Sequence, residues 1–188
     1  MSLDVVILGP PGAGKGTQAA RIADETGLPH IATGDILRGA VEEGSALGER
    51  VRPILAAGDL VPDDLMVDLI RERLDGDDTV RGFVLDGFPR TLVQAAALDE
   101  MLGHLDRSLS LVLEFQLPEE VAHDRLLGRG RSDDNEDTIR NRFAKQRVPE
   151  ELVAYYRTKG ILVGIHADGT VDEVFAEVQD VLATAAAR

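Results

Sequence analysis

Apolar positions along the chain gather into short continuous runs separated by longer stretches with helical spacing. The runs 3–8 (Leu-Asp-Val-Val-Ile-Leu), 82–85 (Gly-Phe-Val-Leu), 109–115 (Leu-Ser-Leu-Val-Leu-Glu-Phe) and 160–165 (Gly-Ile-Leu-Val-Gly-Ile) read as buried strands, with a shorter one near 28–31. Helical patterns lie between them, near 15–26, 63–74, 91–103, 118–128, 137–157 and 171–186. Pro149 falls inside the fifth of these and kinks or divides it. Such alternation predicts an α/β fold, a mostly parallel sheet covered by helices on both faces. Ligands of such sheets gather at the carboxyl ends of the strands.

Two stretches depart from simple strand–helix wrapping. Residues 33–61 carry short helical segments near 34–43 and 46–57, punctuated by Gly44 and Gly58, with no strand between them. Residues 128–137 are polar, glycine-containing and strongly charged. Both read as excursions from the edge of the sheet, of the kind that shields phosphates from water. No repeat or low-complexity segment is visible beyond an alanine-rich tail at 183–187.

At 188 residues the chain fits one domain, and with 44% hydrophobic and 29% charged residues it is globular. No apolar run approaches the ~20 residues of a membrane span. Nothing at the N-terminus resembles a secretory signal, so the expected compartment is the cytoplasm. The absence of cysteine excludes disulfides, thiol nucleophiles and Cys-based zinc sites. A net charge of −14 opposes general affinity for nucleic acid or anionic membranes. Against that background Arg125, Arg129, Arg131, Arg140 and Arg142 cluster, whereas lysine is confined to positions 15, 145 and 159. Clustered guanidinium groups on an acidic protein suit a small polyanionic ligand.

The strand at 3–8 runs directly into Gly9-Pro10-Pro11-Gly12-Ala13-Gly14-Lys15-Gly16-Thr17, and a helix follows. A strand, a glycine-rich turn, a lysine and a helix make a phosphate cradle: backbone N–H groups turn inward, the helix terminus adds positive charge, and the lysine reaches the outer phosphates. The usual Ser or Thr after the lysine is Gly16 here, and the hydroxyl comes one later on Thr17. That variant leans away from GTPases and large ATPases and toward small kinases acting on nucleotides. The strand at 82–85 ends in Asp86-Gly87-Phe88-Pro89-Arg90. A carboxylate there is either a magnesium-linked group or an ordinary turn residue. Thr33-Gly34-Asp35 with Arg38 opens the first excursion, with Asp35 also suited to helix capping. Gly58-Asp59-Leu60-Val61-Pro62 closes it, as a hinge or as backbone lining a base pocket.

With these segments in order, and with Thr91, Gln94, Arg-Leu-Leu-Gly-Arg-Gly-Arg at 125–131 and Asp-Asp-Asn-Glu-Asp-Thr-Ile-Arg-Asn-Arg at 133–142, the chain resembles the adenylate kinase family in its short-lid form over essentially its whole length. The resemblance implies a P-loop nucleoside monophosphate kinase fold: a five-stranded parallel sheet flanked by helices, in a single domain. The core would comprise 1–31, 62–127 and 139–188, with a monophosphate-binding flap at 32–61 and a short ATP lid at 128–138. It implies an ATP site of Gly12, Ala13, Gly14, Lys15, Gly16, Thr17, Arg125, Arg129 and Gly169. Thr33, Arg38, Asp59, Leu60, Val61, Gly87, Phe88, Pro89, Arg90 and Gln94, with Arg131 and Arg142, would hold AMP. Lys15, Arg90, Arg129, Arg131, Arg142 and Asp86 would carry the chemistry. The implied reaction is ATP + AMP ⇌ 2 ADP by a monomer. Magnesium would arrive with ATP and meet Asp86 through water, with no direct protein ligand. Longer-lid relatives often hold zinc with four cysteines; that insertion is missing here, so no zinc is expected.

Elementary chemistry supports the assignment. Phosphoryl transfer needs in-line positioning and positive charge on the migrating group, and the acceptor oxygen is already deprotonated at neutral pH. No general base is required, and His30, His104, His123 and His166 lie in none of the motifs and read as structural. The stretch Val148-Pro149-Glu150-Glu151-Leu152 departs from the family's usual Thr-x-Pro-Leu before the tyrosine pair, which touches local helix geometry only. A UMP/CMP kinase is the nearest alternative; such relatives usually carry Ala at position 33 and Asn at position 94. A non-catalytic nucleotide-binding module would be expected to lack Lys15 or a lid arginine. Gln94 offers a donor and an acceptor to adenine's edge, but an amide can turn around to meet guanine, so discrimination falls to the whole pocket.

Overall fold

The computed structural model describes residues 2–131 and 135–186. Ser132, Asp133 and Asp134, which belong to the expected lid, lie outside the described residues. Five strands, β1 (Leu3–Leu8), β2 (His30–Ala32), β3 (Gly82–Asp86), β4 (Leu111–Gln116) and β5 (Leu162–His166), form one parallel sheet in the order β2-β3-β1-β4-β5. Nine helices accompany them among the described residues: α1 (Lys15–Thr26), α2 (Thr33–Glu43), α3 (Ala46–Ala57), α4 (Asp63–Leu74), α5 (Leu92–His104), α6 (Glu119–Arg129), α7 (Glu136–Lys145), α8 (Glu150–Thr158) and α9 (Val171–Ala186). A single 3₁₀ turn at Asp77–Thr79 leads into β3.

Alternation along the strands sorts the core into two layers. Val6, Leu8, Phe83, Leu85 and Val112 face one way, onto the apolar sides of α4, α5 and α8. Val5, Ile7, Val84, Leu111 and Leu113 face the other, onto α1 and α9. The central strands are thus buried on both sides, which is why they read as nearly continuous apolar runs. A third, small cluster of Ala122, Leu126, Ile139 and Phe143 joins α6 to α7.

Of the two outcomes expected at Pro149, a kink or a division, the structure shows division: the 137–157 segment is two helices. Asn135 caps α7 by accepting from the Thr138 N–H at 2.9 Å, and Pro149 stands at the N-cap of α8. Strands β4 and β5 begin about two residues later than their apolar runs, because Leu109 and Ile161 are spent on approach to the sheet rather than within it.

The far edge of β1 is pinned by charge. Asp4 is wholly buried, and the guanidinium of Arg107 grips both its carboxylate oxygens. Ser110 Oγ accepts from the Asp4 N–H at 3.1 Å, so the end of β1 opposite the phosphate loop is closed by a satisfied polar cluster. At the other end the register pairs Ile7 with Asp86 and Leu8 with Glu114. The loops leaving β1, β3 and β4 therefore emerge side by side.

Candidate active site

Between β1 and α1 the chain turns back through Gly9–Gly14. Gly12 has φ 85°, and a Cβ there would stand 2.5 Å from the carbonyl oxygen of Ala122, so the turn admits no side chain. Helix α1 starts with no side-chain cap and no acidic residue in its first turn. Helices α4, α6, α7 and α8 each begin with two acidic residues. The first turn of α1 therefore keeps its N–H groups and its positive dipole end for an anion. Lys15 Nζ lies inside the turn, donating to the carbonyls of Gly9 at 2.9 Å and Pro10 at 2.8 Å. Burial pulls its pKa down to about 8; Asp86 opposes the shift, while Arg90 and Arg129 add to it.

Asp86 ends β3 next to this turn, its Oδ2 being 3.4 Å from where a Cβ on Gly16 would stand. Its carbonyl accepts from Thr33 Oγ1 at 3.2 Å, which ties the start of α2 to the sheet. At Gly87, φ is 90° and a Cβ would meet Thr33 Oγ1 at 2.3 Å. Only glycine lets the two segments approach so closely.

Arg90 lies partly buried beside that turn. Its Nε donates to the Gly87 carbonyl at 2.9 Å and its terminal nitrogen to Gln146 Oε1 at 2.7 Å. Burial lowers its pKa, Asp86 works against this, and the nearby Arg142 and Arg38 reinforce it, so three guanidinium groups converge here. Gln94 Oε1 accepts from the Arg90 N–H at 2.7 Å, and its Nε2 donates to Asp63 Oδ1 at 2.8 Å.

Helix α7 holds the end of α3. Thr138, Asn141 and Gln146 donate in turn to the carbonyls of Ala56, Ala57 and Gly58, which the helix leaves without partners of its own. Asp59 accepts from Lys145 Nζ and Asn141 Nδ2, both at 2.6 Å, and these donors hold its carboxyl below the usual range. Arg125 braces the segment after β5 through the carbonyls of Ala167 at 2.7 Å and Gly169 at 3.2 Å. Arg38 pairs with Asp35, and Arg131 stands 4.0 Å from the same carboxylate. Arg142 is only 8% exposed.

Lys15, Asp86, Arg90, Gln94, Asp59, Arg125, Arg38, Arg131 and Arg142 all border one cavity of about 890 Å³, near the upper end of the range for small-molecule sites and roomy enough for two ligands. It is lined by the phosphate turn from Gly12 to Thr17, by Arg125, Arg129 and Gly169, and by Thr33, Arg38, Asp59, Leu60 and Val61. Asp86, Gly87, Pro89, Arg90, Gln94, Arg131 and Arg142 complete the expected set. Phe88 is the exception: its side chain is fully buried in the core beside Leu85 and does not border the cavity. An apolar ring between two site residues is anchored inward, which sequence order alone conceals.

Sequence reasoning also missed residues. Asp63, Asn141, Lys145 and Gln146 hold the site residues in place, yet each sits in or beside a helix where a polar side chain reads as a solvated face. His30 lines the cavity with its Nε2 buried and without a protein partner, although it lies in none of the motifs.

Among the described residues no group of three or more His, Cys, Asp or Glu could hold a metal ion by itself. The donors beside the phosphate turn are the Asp86 carboxylate and the Thr17 hydroxyl, both hard oxygens and few in number. That set fits magnesium, which keeps most of its shell as water and phosphate oxygens.

A cradle for one nucleotide's outer phosphates faces guanidinium groups suited to a second phosphate, across a single cavity. This is the arrangement of a phosphotransferase of the nucleoside monophosphate kinase class. The family model described as adenylate kinase matches residues 7–161. An adenylate kinase of Thermus thermophilus is 50% identical over 183 residues, covering 95% of this chain and 96% of that protein. One from Mycolicibacterium vanbaalenii is 51% identical over 173 residues, covering 92% and 94%. That of Mycobacterium tuberculosis is 49% identical over the same length and shares. The chain belongs to the adenylate kinase family, and its α/β sheet is the P-loop nucleoside monophosphate kinase fold.

Proposed function

We propose that the chain catalyses the reversible, magnesium-dependent transfer of the terminal phosphoryl group of ATP to AMP, giving two ADP. The observation that carries this reading is the convergence of Lys15, Arg38, Arg90, Arg129, Arg131 and Arg142 on one cavity of an otherwise acidic protein. ATP's phosphates lie along the Gly12–Thr17 turn, with Lys15 moving from the Gly9 and Pro10 carbonyls to the outer oxygens. Arg125 and the backbone at Gly169 flank ATP's base. AMP occupies the side bounded by Thr33, Arg38, the 59–61 backbone, Gly87, Pro89, Arg90 and Gln94. Arg90 and Arg38 hold its phosphate, and Arg131 and Arg142 reach the group in transit. Asp86 would hold magnesium, carried in with ATP, through water, and the ion would supply charge screening for the outer phosphates. Residues 32–61 act as the flap over the monophosphate and 128–138 as the lid, both moving against a core of 1–31, 62–127 and 139–188.

Catalysis on this reading is electrostatic and positional. Both reactants are anions, so the chain's task is to bring acceptor oxygen and donor phosphorus together in line and to offset the charge. Thr33 and Gln94 support adenine over pyrimidines. A smaller base would leave Gln94 partly unpaired, at roughly 1–3 kcal/mol per unsatisfied group. The test is ADP formation from ATP and magnesium with AMP, CMP, UMP or GMP at equal concentration. AMP should lead by well over tenfold; faster turnover of CMP or UMP would replace this reading with a pyrimidine kinase.

A further inference from the structure

Gln94 presents its amide toward the cavity, and two neighbours of opposite character hold that amide from behind. The backbone N–H of Arg90 can only donate, and it meets Gln94 Oε1 at 2.7 Å. The carboxylate of Asp63 can only accept, and it meets Gln94 Nε2 at 2.8 Å. Turning the amide around would set N–H against N–H and carbonyl oxygen against carboxylate. Asp63 is itself held, its Oδ2 accepting from Thr91 Oγ1 at 3.0 Å at the N-cap of α5. Gln94 is 2% exposed, so water offers little relief to a reversed amide. Asp63 does not border the cavity and acts only through Gln94.

We infer that Asp63 is a specificity-positioning residue that locks the Gln94 amide in one orientation and thereby selects 6-aminopurine over 6-oxopurine monophosphates. This rests on the proposed placement of the AMP base against Gln94. In the locked orientation the amide's remaining N–H faces the ring nitrogen N1, and its remaining lone pair faces the exocyclic amino group, the pattern of adenine. A 6-oxopurine shows the reverse, an acceptor at position 6 and N1–H as donor. Its productive pose needs the reversed amide that Asp63 forbids. The whole pocket therefore need not carry the discrimination, as an amide able to turn would require.

The informative probe is IMP, which carries the 6-oxo edge without guanine's extra amino group. In Asp63→Asn the side chain can accept or donate, so the carboxylate's objection to a reversed amide is removed while shape is kept. The ratio of kcat/KM for AMP to that for IMP should fall about tenfold, through loss on AMP and gain on IMP, with KM for ATP within twofold of the parent. Asp63→Ala, which leaves Gln94 Nε2 without its acceptor, should lower the same ratio. A merely structural role would depress AMP and IMP turnover together and lower the melting temperature. An unchanged AMP:IMP ratio in both variants, with AMP turnover by the parent intact, would overturn the lock alone. Failure of the parent to use AMP would instead overturn the proposed reaction.

Discussion

Replacing Lys15 by Met separates what the phosphate turn costs in stability from what it contributes to catalysis. The ammonium sits among Gly9 and Pro10 carbonyls with its pKa pulled from 10.5 to about 8, a burial cost of about 3 kcal/mol while it stays charged. Below pH 8 the lysine is protonated in both folded and unfolded chains, so the folded state bears that cost in full. Between about pH 8 and 10.5 the folded lysine releases its proton first, and stability rises as the cost lifts. Methionine removes the penalty but also two charge-assisted hydrogen bonds, worth roughly 1.5–3 kcal/mol each. The terms largely cancel, and at roughly 2–4 °C per kcal/mol the melting temperature should move by less than about 10 °C. Turnover should not escape so lightly. A lost electrostatic contact to the transition state costs about 3–4 kcal/mol, or roughly 10²–10³ in kcat. The assay pairs a thermal melt with ADP formation under saturating substrates. A folded Lys15→Met protein keeping half its activity would refute the argument, as would one that cannot fold at all.

The same lysine predicts a pH profile: KM for ATP should climb as pH passes about 8 and the ammonium loses its charge, and Lys15→Arg should flatten that rise. Arg142→Lys keeps the charge of a nearly buried group but not its planar fork, so kcat should fall at least about tenfold with a smaller change in KM for AMP. Parity of the two proteins would count against bidentate clamping. Away from the cavity, Arg107→Ala strands the buried Asp4 carboxylate and should cost about 3–5 kcal/mol, read as a lower urea midpoint with kcat retained.

Much of this molecule can be read from its sequence because the signals are local. The apolar runs at 3–8 and 82–85 become β1 and β3 almost as they stand, since both faces of a central parallel strand are buried. The glycine turn before Lys15 is legible because a backbone cradle demands glycine at fixed points. What stays hidden is contact between segments far apart in the chain. Asp63 orients Gln94 across 31 positions, and Gln146 joins Arg90 to Gly58 from the end of a helix whose polar residues look like a solvated face. Phe88, counted among site residues by its place in Gly87–Arg90, turns into the core because a large ring has more to gain there than beside phosphates. The freedom imagined for the Gln94 amide also vanishes once its two neighbours are known.

The central claim is a reversible transfer between two adenine nucleotides in one cavity, and the reverse direction tests it without a second substrate. The protein should be given ADP and magnesium alone and followed by phosphorus NMR. ATP and AMP should appear in equal amounts, with no inorganic phosphate, and omitting magnesium should stop the change. ADP that persists unchanged, or that yields inorganic phosphate in place of ATP, would contradict the account.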